Sequence, residues 1–233
     1  MQAARRSFVF LFAPQLDQIF DRIFRPKPAT LDQTIPALRE ALRLGTDRAV
    51  DLGGKLNGFF LNEAIKILLP PPIQKFEKGL RLVGLGKKLD EFIRSMNQAA
   101  ERATPAAKGI FKDAILSINF DDARKILTGG DTAATDYFKS KTSDKLAAAF
   151  QPEIESAMAE TEVVKKYKQF EKNLNALSFG RGQQIDLTAY VLGKTMDGIF
   201  YLVGQEEKKI RTDPAARTTE ILKTVFGGLK RTP

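Results

Sequence analysis

The sequence predicts an all-α protein: a compact multi-helix bundle of about ten short to medium helices, preceded by an N-terminal amphipathic helical arm. Two observations carry this prediction. Apolar residues recur at spacings of three and four along most of the 233 residues, with glycine or proline interrupting them at short intervals. No stretch of useful length alternates apolar and polar residues, as a half-buried strand does. We therefore expect helices joined by tight corners.

The N-terminal residues 1–16 have the composition of a targeting segment. They carry two arginines and no acidic residue, and Arg5 to Phe8 has the outline of a twin-arginine signal. An arginine-bearing start without acidic residues also suits an organelle presequence. The apolar run inside this segment is far shorter than the roughly 20 residues that span a bilayer, so we expect no transmembrane helix. The predicted location is an exported, periplasmic compartment or an organelle of the mitochondrial type.

Apolar residues are at helical spacing from Pro14 to Pro26. This helix and the targeting segment together form the predicted arm over 1–29. A single helical domain is predicted over 30–233. The arm is rich in aromatic residues and amphipathic, so it could dock on a partner protein, lie on a membrane surface or pack on its own core. We expect partner binding through Phe8, Phe12, Ile19, Phe20, Ile23, Phe24, Arg22 and Arg25.

The first half of the domain contains four predicted helices. Helical spacing over 38–52 breaks at Gly53, and an apolar run over 59–69 indicates a short second helix. Three prolines at 70–72 suit the first turn of a third helix. A fourth covers 89–100. The third helix is expected to face the core through Ile73, Phe76, Leu80 and Val83.

The second half contains further predicted helices, each with its own start signal. Thr104 precedes a proline and is predicted to cap the next helix, and Asp186 is predicted to cap a long one near the end. Around the central corner described below, these helices are predicted over 106–118, 142–150, from Pro152 onward, 161–177, 186–211 and 213–226.

The stretch 117–146 predicts a structural corner between a short helix over 121–127 and the helix after it. An asparagine can cap the short helix, and two aspartates place negative charge at the positive end of its dipole. Two glycines are expected to end the helix in the left-handed conformation, and an aspartate to cap the next helix. The corner residues are Asn119, Asp121, Asp122, Gly129, Gly130 and Asp131.

The absence of cysteine and histidine from the chain excludes most familiar active sites. It rules out a Ser-His-Asp triad, a cysteine nucleophile, a Cys/His zinc site and an imidazole haem ligand. Helix capping explains the aspartates near the corner better than a metal site does, and residues 192–195 resemble the end of a phosphate-binding loop but fall in mid-helix. We expect no cofactor and no catalysis; a hydrolase-like enzyme using Asp, Lys125 and Tyr137 is the remaining alternative.

The net charge of +9 indicates an acidic partner. Basic residues are densest over 75–94, although Glu77, Asp90 and Glu91 interrupt them, and a solvated helix face is the simplest interpretation. Nucleic acid is disfavoured because the aromatic residues sit at core spacing rather than among the cations. Other protein subunits are the expected partners, and an anionic membrane surface is an alternative.

The 17 phenylalanines occur without a single tryptophan. They either fill the core or line a cavity for an apolar or lipid-like ligand, so a ligand carrier is the second function hypothesis. Phe20 and Phe24 discriminate between the two hypotheses. Exposed on an arm, they favour docking; buried beside a cavity lined by Phe92, Tyr137 or Phe200, they favour a carrier.

Four long blocks carry a family resemblance. They are LREALRLGTDRAVDLGGK at 38–55, EFIRSMNQAAERATPAAKGIFKDAI at 91–115, DDARKILTGGDTAATDYFKSKTSDKL at 121–146 and EEKKIRTDPAARTTEILKTVFG at 206–227. Across 38–227 the chain resembles the bacterial family catalogued as domain of unknown function 4197. The resemblance implies an exported protein with an N-terminal signal, and it implies no activity. The first 30 residues have no clean cleavage site and no lipoprotein cysteine, so inheritance by an organelle stays open.

Overall fold

A computed structural model describes residues 31–160, 165 and 186–213 of the chain. These residues contain helices and no strand, so the predicted all-α class is confirmed. About ten helices were expected, and the described ranges contain six of nine or more residues. They are α1 (Leu31–Gly54), α2 (Gly86–Ala103), α3 (Ala107–Leu116), α4 (Phe120–Thr128), α5 (Ala133–Glu160) and α6 (Leu187–Thr212).

The core lies where α6 packs against α1 and α5, and where α2 packs against α5. Its largest fully buried side chains include four phenylalanines from different parts of the chain: Phe59, Phe111, Phe138 and Phe150. Phe111 meets Phe138 edge-to-face with 5.3 Å between ring centroids, and it meets Phe200 in the same way at 6.3 Å. Such aromatic pairs add roughly 0.5–1.5 kcal/mol beyond the burial of their area. Six of the nine phenylalanines in the described ranges are buried and thus serve the core.

The predicted second helix over 59–69 does not form, and turns take its place. Two buried side chains of α2 bind the backbone of these turns. Glu101 accepts hydrogen bonds from the N–H groups of Asn57, Phe59 and Phe60 at 3.0–3.1 Å. Asn97 accepts from the N–H of Ile67 and donates to its carbonyl, both at 2.8 Å. Because α2 satisfies these amides, the segment needs no helix to bury its apolar side chains.

The separate helices predicted at 142–150 and from Pro152 are one helix, α5. Thr142 and Ser143 do not cap a helix; their hydroxyls donate to the carbonyls four residues earlier at 2.7 Å. Pro152 lies inside α5, where it removes one backbone donor. A continuous buried face holds both sides of the proline against the core. That face consists of Phe138, Leu146, Phe150, Ile154 and Met158.

Thr104 is also not the predicted cap. Its hydroxyl donates to the carbonyl of Ala100 at 2.8 Å, and Thr104–Ala106 forms a single 3-10 turn between α2 and α3. Asp186, in contrast, caps α6 as predicted, because its carboxylate accepts from the N–H of Ala189 at 2.9 Å. The N-terminal arm, the helix at 161–177 apart from Lys165, and the helix at 213–226 apart from Asp213 lie outside the described residues.

None of the helices in the described ranges is both long and apolar enough to cross a membrane.

Candidate functional site

The start of the central corner has the predicted geometry. The side chain of Asn119 accepts from the N–H of Asp122 at 2.8 Å, and the Asp122 carboxylate accepts from the N–H of Asn119 at 3.2 Å. This reciprocal pair is a capping box, which satisfies two free amides at the start of α4. Asp121 lies in the same first turn, at the positive end of the helix dipole.

The end of α4 differs from the prediction. Gly129 is extended, with φ −78° and ψ 177°, and it does not adopt the left-handed conformation. Gly130 does not have a positive φ either. A Cβ on Gly129 would lie 2.6 Å from both the Lys125 carbonyl oxygen and the Ala133 Cβ, whereas one on Gly130 would meet nothing within 4 Å. Close approach of two helices therefore explains the glycine at 129.

Asp131 is not the N-cap of the next helix, because α5 begins two residues later at Ala133. The carboxylate that binds this helix start belongs to Glu207 of α6. It accepts from the N–H of Ala134 at 2.9 Å, and from the N–H and the hydroxyl of Thr135 at 2.8 Å and 2.7 Å. A buried carboxylate at the positive end of a 28-residue helix replaces the local cap.

Arg211 completes the corner. It donates to the Glu207 carboxylate at 2.7 Å and to the carbonyl of Ile126, in the last turn of α4, at 2.8 Å. One largely buried ion pair on α6 therefore binds the end of α4 and the start of α5. Neither residue was predicted as part of the corner, because their bonds to α4 and α5 join positions more than 70 residues apart. The available signal was that Glu207 falls on the buried face of α6 with Val203 and Ile210.

The segment that links the turns to α2 exposes large apolar side chains. The predicted third helix is instead two four-residue turns, Pro71–Gln74 and Glu77–Leu80, and a π-helical segment, Arg81–Leu85. Gly84 has a φ of 86°, which interrupts regular helix geometry there. Ile73 and Leu80 pack against the core as predicted. The outer apolar side chains are Phe76, Leu82 and Val83, which are 68%, 88% and 72% exposed.

The predicted core positions of Phe76 and Val83 are thus wrong. A continuous helix would have placed both on the inner face. Phe76 instead lies between the two short helical turns, and Val83 has non-helical backbone angles next to Gly84, so neither side chain keeps the helical direction. We call residues 75–88, with the outer apolar side chains Phe76, Leu82 and Val83, the 75–88 surface.

Most cations of the 75–88 surface have no carboxylate partner among the described residues. Arg81 is the exception, because it binds Glu77 at 2.9 Å and Asp90 at 2.7 Å. The hydrogen bonds that Arg81 donates to Asp90 and Glu77 raise the pKa of Arg81 and stabilise its charge. The four remaining cations, called the free lysines below, are exposed. They are Lys75, Lys78, Lys87 and Lys88.

A second feature is a groove of about 750 Å³ between α5 and α6. Phe200 and Met196 contribute apolar surface to it, and the Lys139 ammonium lies 5.8 Å from the centre of the Phe200 ring. A groove of about 500 Å³ adjoins it, since both are lined by Asp197 and Tyr201. These grooves are the candidate places for a small ligand in the described part of the chain.

The other predicted candidates have structural surroundings. Residues 192–195 lie inside α6, as expected, and the Thr195 hydroxyl donates to the carbonyl of Val191. Tyr137 donates to the carbonyl of Ala114 at 3.0 Å, and Phe92 is buried in the core. The arm residues predicted to bind a partner, Phe8 to Arg25, lie outside the described residues.

The fold and site define an all-α protein with a largely buried ion pair at its central corner and an exposed apolar and basic surface. The chain belongs to the family described as Protein of unknown function (DUF4197), whose model matches residues 29–227. The resemblance predicted from four sequence blocks is confirmed. No curated protein and no solved structure matches the chain.

Proposed function

We propose that this protein is a non-enzymatic binding protein, an accessory subunit of a larger assembly in a periplasmic or organellar compartment. It docks on an acidic partner through the 75–88 surface, and its N-terminal arm over 1–29 engages other protein subunits. The observation that carries the proposal is the combination of three outer apolar side chains with four free lysines in one short segment.

The segment carries an inner and an outer set of apolar side chains, and the difference between the two sets supports the docking role. Ile73 and Leu80 already attach it to the core, so its attachment does not require Phe76, Leu82 or Val83. Apolar area in water costs about 25 cal/mol per Å² relative to a buried position. Contiguous exposed apolar groups bordered by polar ones are typical of interaction sites. A docking role explains why the outer set is apolar.

The surroundings of the titratable groups support a binding role over catalysis. The carboxylates of Asp122 and Glu207 accept backbone hydrogen bonds at helix starts, and Glu101 binds three backbone amides. The Tyr137 hydroxyl is bonded to a backbone carbonyl. These groups hold the fold together, which leaves them poorly placed to serve as acids or bases.

The test is native mass spectrometry of the tagged protein isolated gently from its own source. We expect the wild type to retain other protein chains and the variant F76S/L82S/V83S to lose an acidic partner. The variant L56S/L116S is the matched control, because both leucines are exposed on other segments. Equal retention of protein chains and of bound anionic lipid by wild type and both variants would contradict docking through the 75–88 surface. Removal of residues 1–28 tests the arm separately.

A carrier of an apolar ligand is the second candidate, and the α5–α6 groove favours it. Its apolar floor and the polar side chains at its edge suit a ligand with an apolar body and a polar end. The same mass spectra test this candidate. A lone chain with a small added mass, lost in the variant Met196→Lys, would support the carrier and contradict the accessory subunit.

A further inference from the structure

We propose that the acidic partner of the 75–88 surface is the surface of an anionic phospholipid membrane. The outer apolar side chains enter the boundary between headgroups and acyl chains, and the free lysines bind lipid phosphates. This inference rests on the proposed function, because it names the partner of the same surface. It requires no membrane-spanning segment, since side chains at one short segment are enough for binding in the plane of the interface.

The kind of cation favours lipid over protein. Cores of protein interfaces are enriched in Tyr, Trp, Phe, Met and Arg, and lysine is depleted there. The one arginine of the 75–88 surface, Arg81, is already bound to Glu77 and Asp90. Every cation left without a carboxylate partner among the described residues of this surface is a lysine, a mobile and strongly hydrated point charge. Lysines beside leucine and phenylalanine are typical of segments that bind anionic membranes.

Nucleic acid fits the same surface poorly. Binding of single strands uses several aromatic side chains on which successive bases stack. The 75–88 surface has one aromatic residue, Phe76, and its other outer apolar side chains are aliphatic. Leu82 and Val83 have no base-stacking role, whereas an acyl-chain boundary accepts them readily.

The shape of the segment also suits shallow insertion. Leu82 and Val83 are adjacent, and Gly84 follows them with its left-handed φ of 86°. A Cβ placed on Gly79 or on Gly84 would meet no atom within 4 Å, so the backbone around these apolar residues is open to its surroundings. The inner anchors Ile73 and Leu80 fix the segment to the helical domain. The outer apolar side chains are therefore exposed on a segment that is fixed to the helical domain.

The charge of the segment sets the expected strength of binding to an anionic membrane. Residues 75–88 contain five basic and one acidic side chain, a net charge of +4. Each lysine near an anionic membrane surface changes the partition coefficient about fivefold. Removal of all four free lysines is then expected to weaken binding on the order of several hundredfold. This effect depends on ionic strength, because salt screens exposed charges.

The chain has no tryptophan, so one introduced tryptophan reports from a single position. We would place it at Leu82→Trp, with Leu56→Trp as the control. Leu56 is 79% exposed and lines a groove with Arg102 at the C-terminal end of α2. The 75–88 surface lies at the N-terminal end of α2, which has 18 residues and is about 27 Å long. The control position is therefore at the opposite end of this helix.

The probes are vesicles of phosphatidylcholine alone and vesicles of phosphatidylcholine with phosphatidylglycerol. We expect the emission of Leu82→Trp to shift to the blue with the anionic vesicles only. The emission of Leu56→Trp is expected to stay unchanged with both. A shift at both positions would indicate general adsorption and overturn the assignment to the 75–88 surface.

Two charge variants in the Leu82→Trp background separate local from overall charge. K75Q/K78Q/K87Q/K88Q removes the free lysines, and K112Q/K125Q/K141Q/K145Q removes four exposed lysines of α3, α4 and α5. We expect the first to lose on the order of several hundredfold in partitioning and the second less than about tenfold. Equal losses would contradict the proposal, because net charge alone would then explain binding.

The result also separates this inference from the proposed function. If Leu82→Trp shows no shift with anionic vesicles while F76S/L82S/V83S still loses its acidic partner from the native assembly, the membrane is the wrong partner and the docking role stands. If neither measurement responds, both proposals fail.

Discussion

Glu207 and Arg211 form a largely buried ion pair, with 2.7 Å between Oε1 and Nη2, and each partner also binds a different helix end. Glu207 binds the first turn of α5 through Thr135, and Arg211 binds the last turn of α4 through Ile126. Their side chains are 5% and 11% exposed. The angle at the central corner is therefore fixed from α6, which is the last helix in the described part of the chain.

This arrangement predicts the cost of removing Glu207. The variant Glu207→Ala removes the ion pair with Arg211 and leaves the buried amides of Ala134 and Thr135 without the acceptor they have in the wild type. We expect a loss of about 3–5 kcal/mol in the free energy of unfolding. Urea denaturation followed by circular dichroism measures it. Lys208→Ala, an exposed neighbour, should change stability by less than about 0.5 kcal/mol. Similar values for the two variants would show that the pair does not hold the corner.

Glu101 predicts a second large effect. Its carboxylate is the acceptor for the N–H groups of Asn57, Phe59 and Phe60, in a segment that forms turns and no continuous helix. Glu101→Ala should cost about 3 kcal/mol, since unsatisfied buried amides cost about 1–3 kcal/mol each and two of these are only partly buried. Hydrogen exchange should show early opening over 55–69. Glu91→Ala, at an exposed position of the same helix, is the control. If the amides over 55–69 keep their protection in Glu101→Ala, Glu101 is not the acceptor that holds this segment.

Two glycines of α6 predict opposite outcomes for one substitution. A Cβ on Gly198 would lie 2.9 Å from Cζ of the buried Phe59 ring, so Gly198→Ala should destabilise the protein by about 1–3 kcal/mol. A Cβ on Gly193 would meet nothing within 4 Å. Gly193→Ala should therefore stabilise it by about 0.5–1 kcal/mol, because alanine favours a helix interior. Thermal unfolding distinguishes them, and a stabilised Gly198→Ala would contradict the packing of Phe59 on α6.

Tyr190 predicts an alkaline dependence of stability. Burial raises the pKa of its hydroxyl above the usual 10.0, and that hydroxyl donates to the carbonyl of Leu68 at 3.1 Å. The folded protein thus holds this proton more tightly than the unfolded chain does. The contribution to stability is complete below pH 10 and is lost as the pH rises through the raised folded value. The unfolding free energy of wild type should fall more steeply than that of Tyr190→Phe above pH 10. If the curves of unfolding free energy against pH are parallel for the two proteins, the prediction is wrong.

The 75–88 surface predicts a variant that changes binding without changing the fold. F76S/L82S/V83S replaces side chains that are mostly exposed, so the free energy of unfolding should change by less than about 1 kcal/mol. The inner residue Leu80 provides the contrast, because Leu80→Ser removes an anchor that packs against the core and should destabilise. If the triple variant unfolds easily, the outer side chains are part of the fold and the docking role loses its support.

Local signals predicted several elements correctly. Asn119 and Asp186 cap their helices because a cap is formed by side chain and amides within three residues, and the helical spacing of α1, α2 and α6 reflects one buried face. Other predictions failed, either because a side chain binds its own helix or because distant residues shape the segment. Thr104 and Ser143 bind backward to carbonyls within continuous helical structure, and the segment 59–69 is shaped by Glu101 and Asn97.

The sequence by itself determined the all-α class, the family and the absence of cysteine and histidine chemistry, because periodicity, recurring blocks and composition are properties of the chain alone. Tertiary structure decided which charges and apolar residues are free. Glu207 and Arg211 are largely buried because α6 returns to the corner, whereas Phe76, Leu82 and Val83 are exposed because helix geometry is interrupted at Phe76 and again at Val83 and Gly84. Burial depends on what packs against a residue, and this is settled only when distant parts of the chain meet.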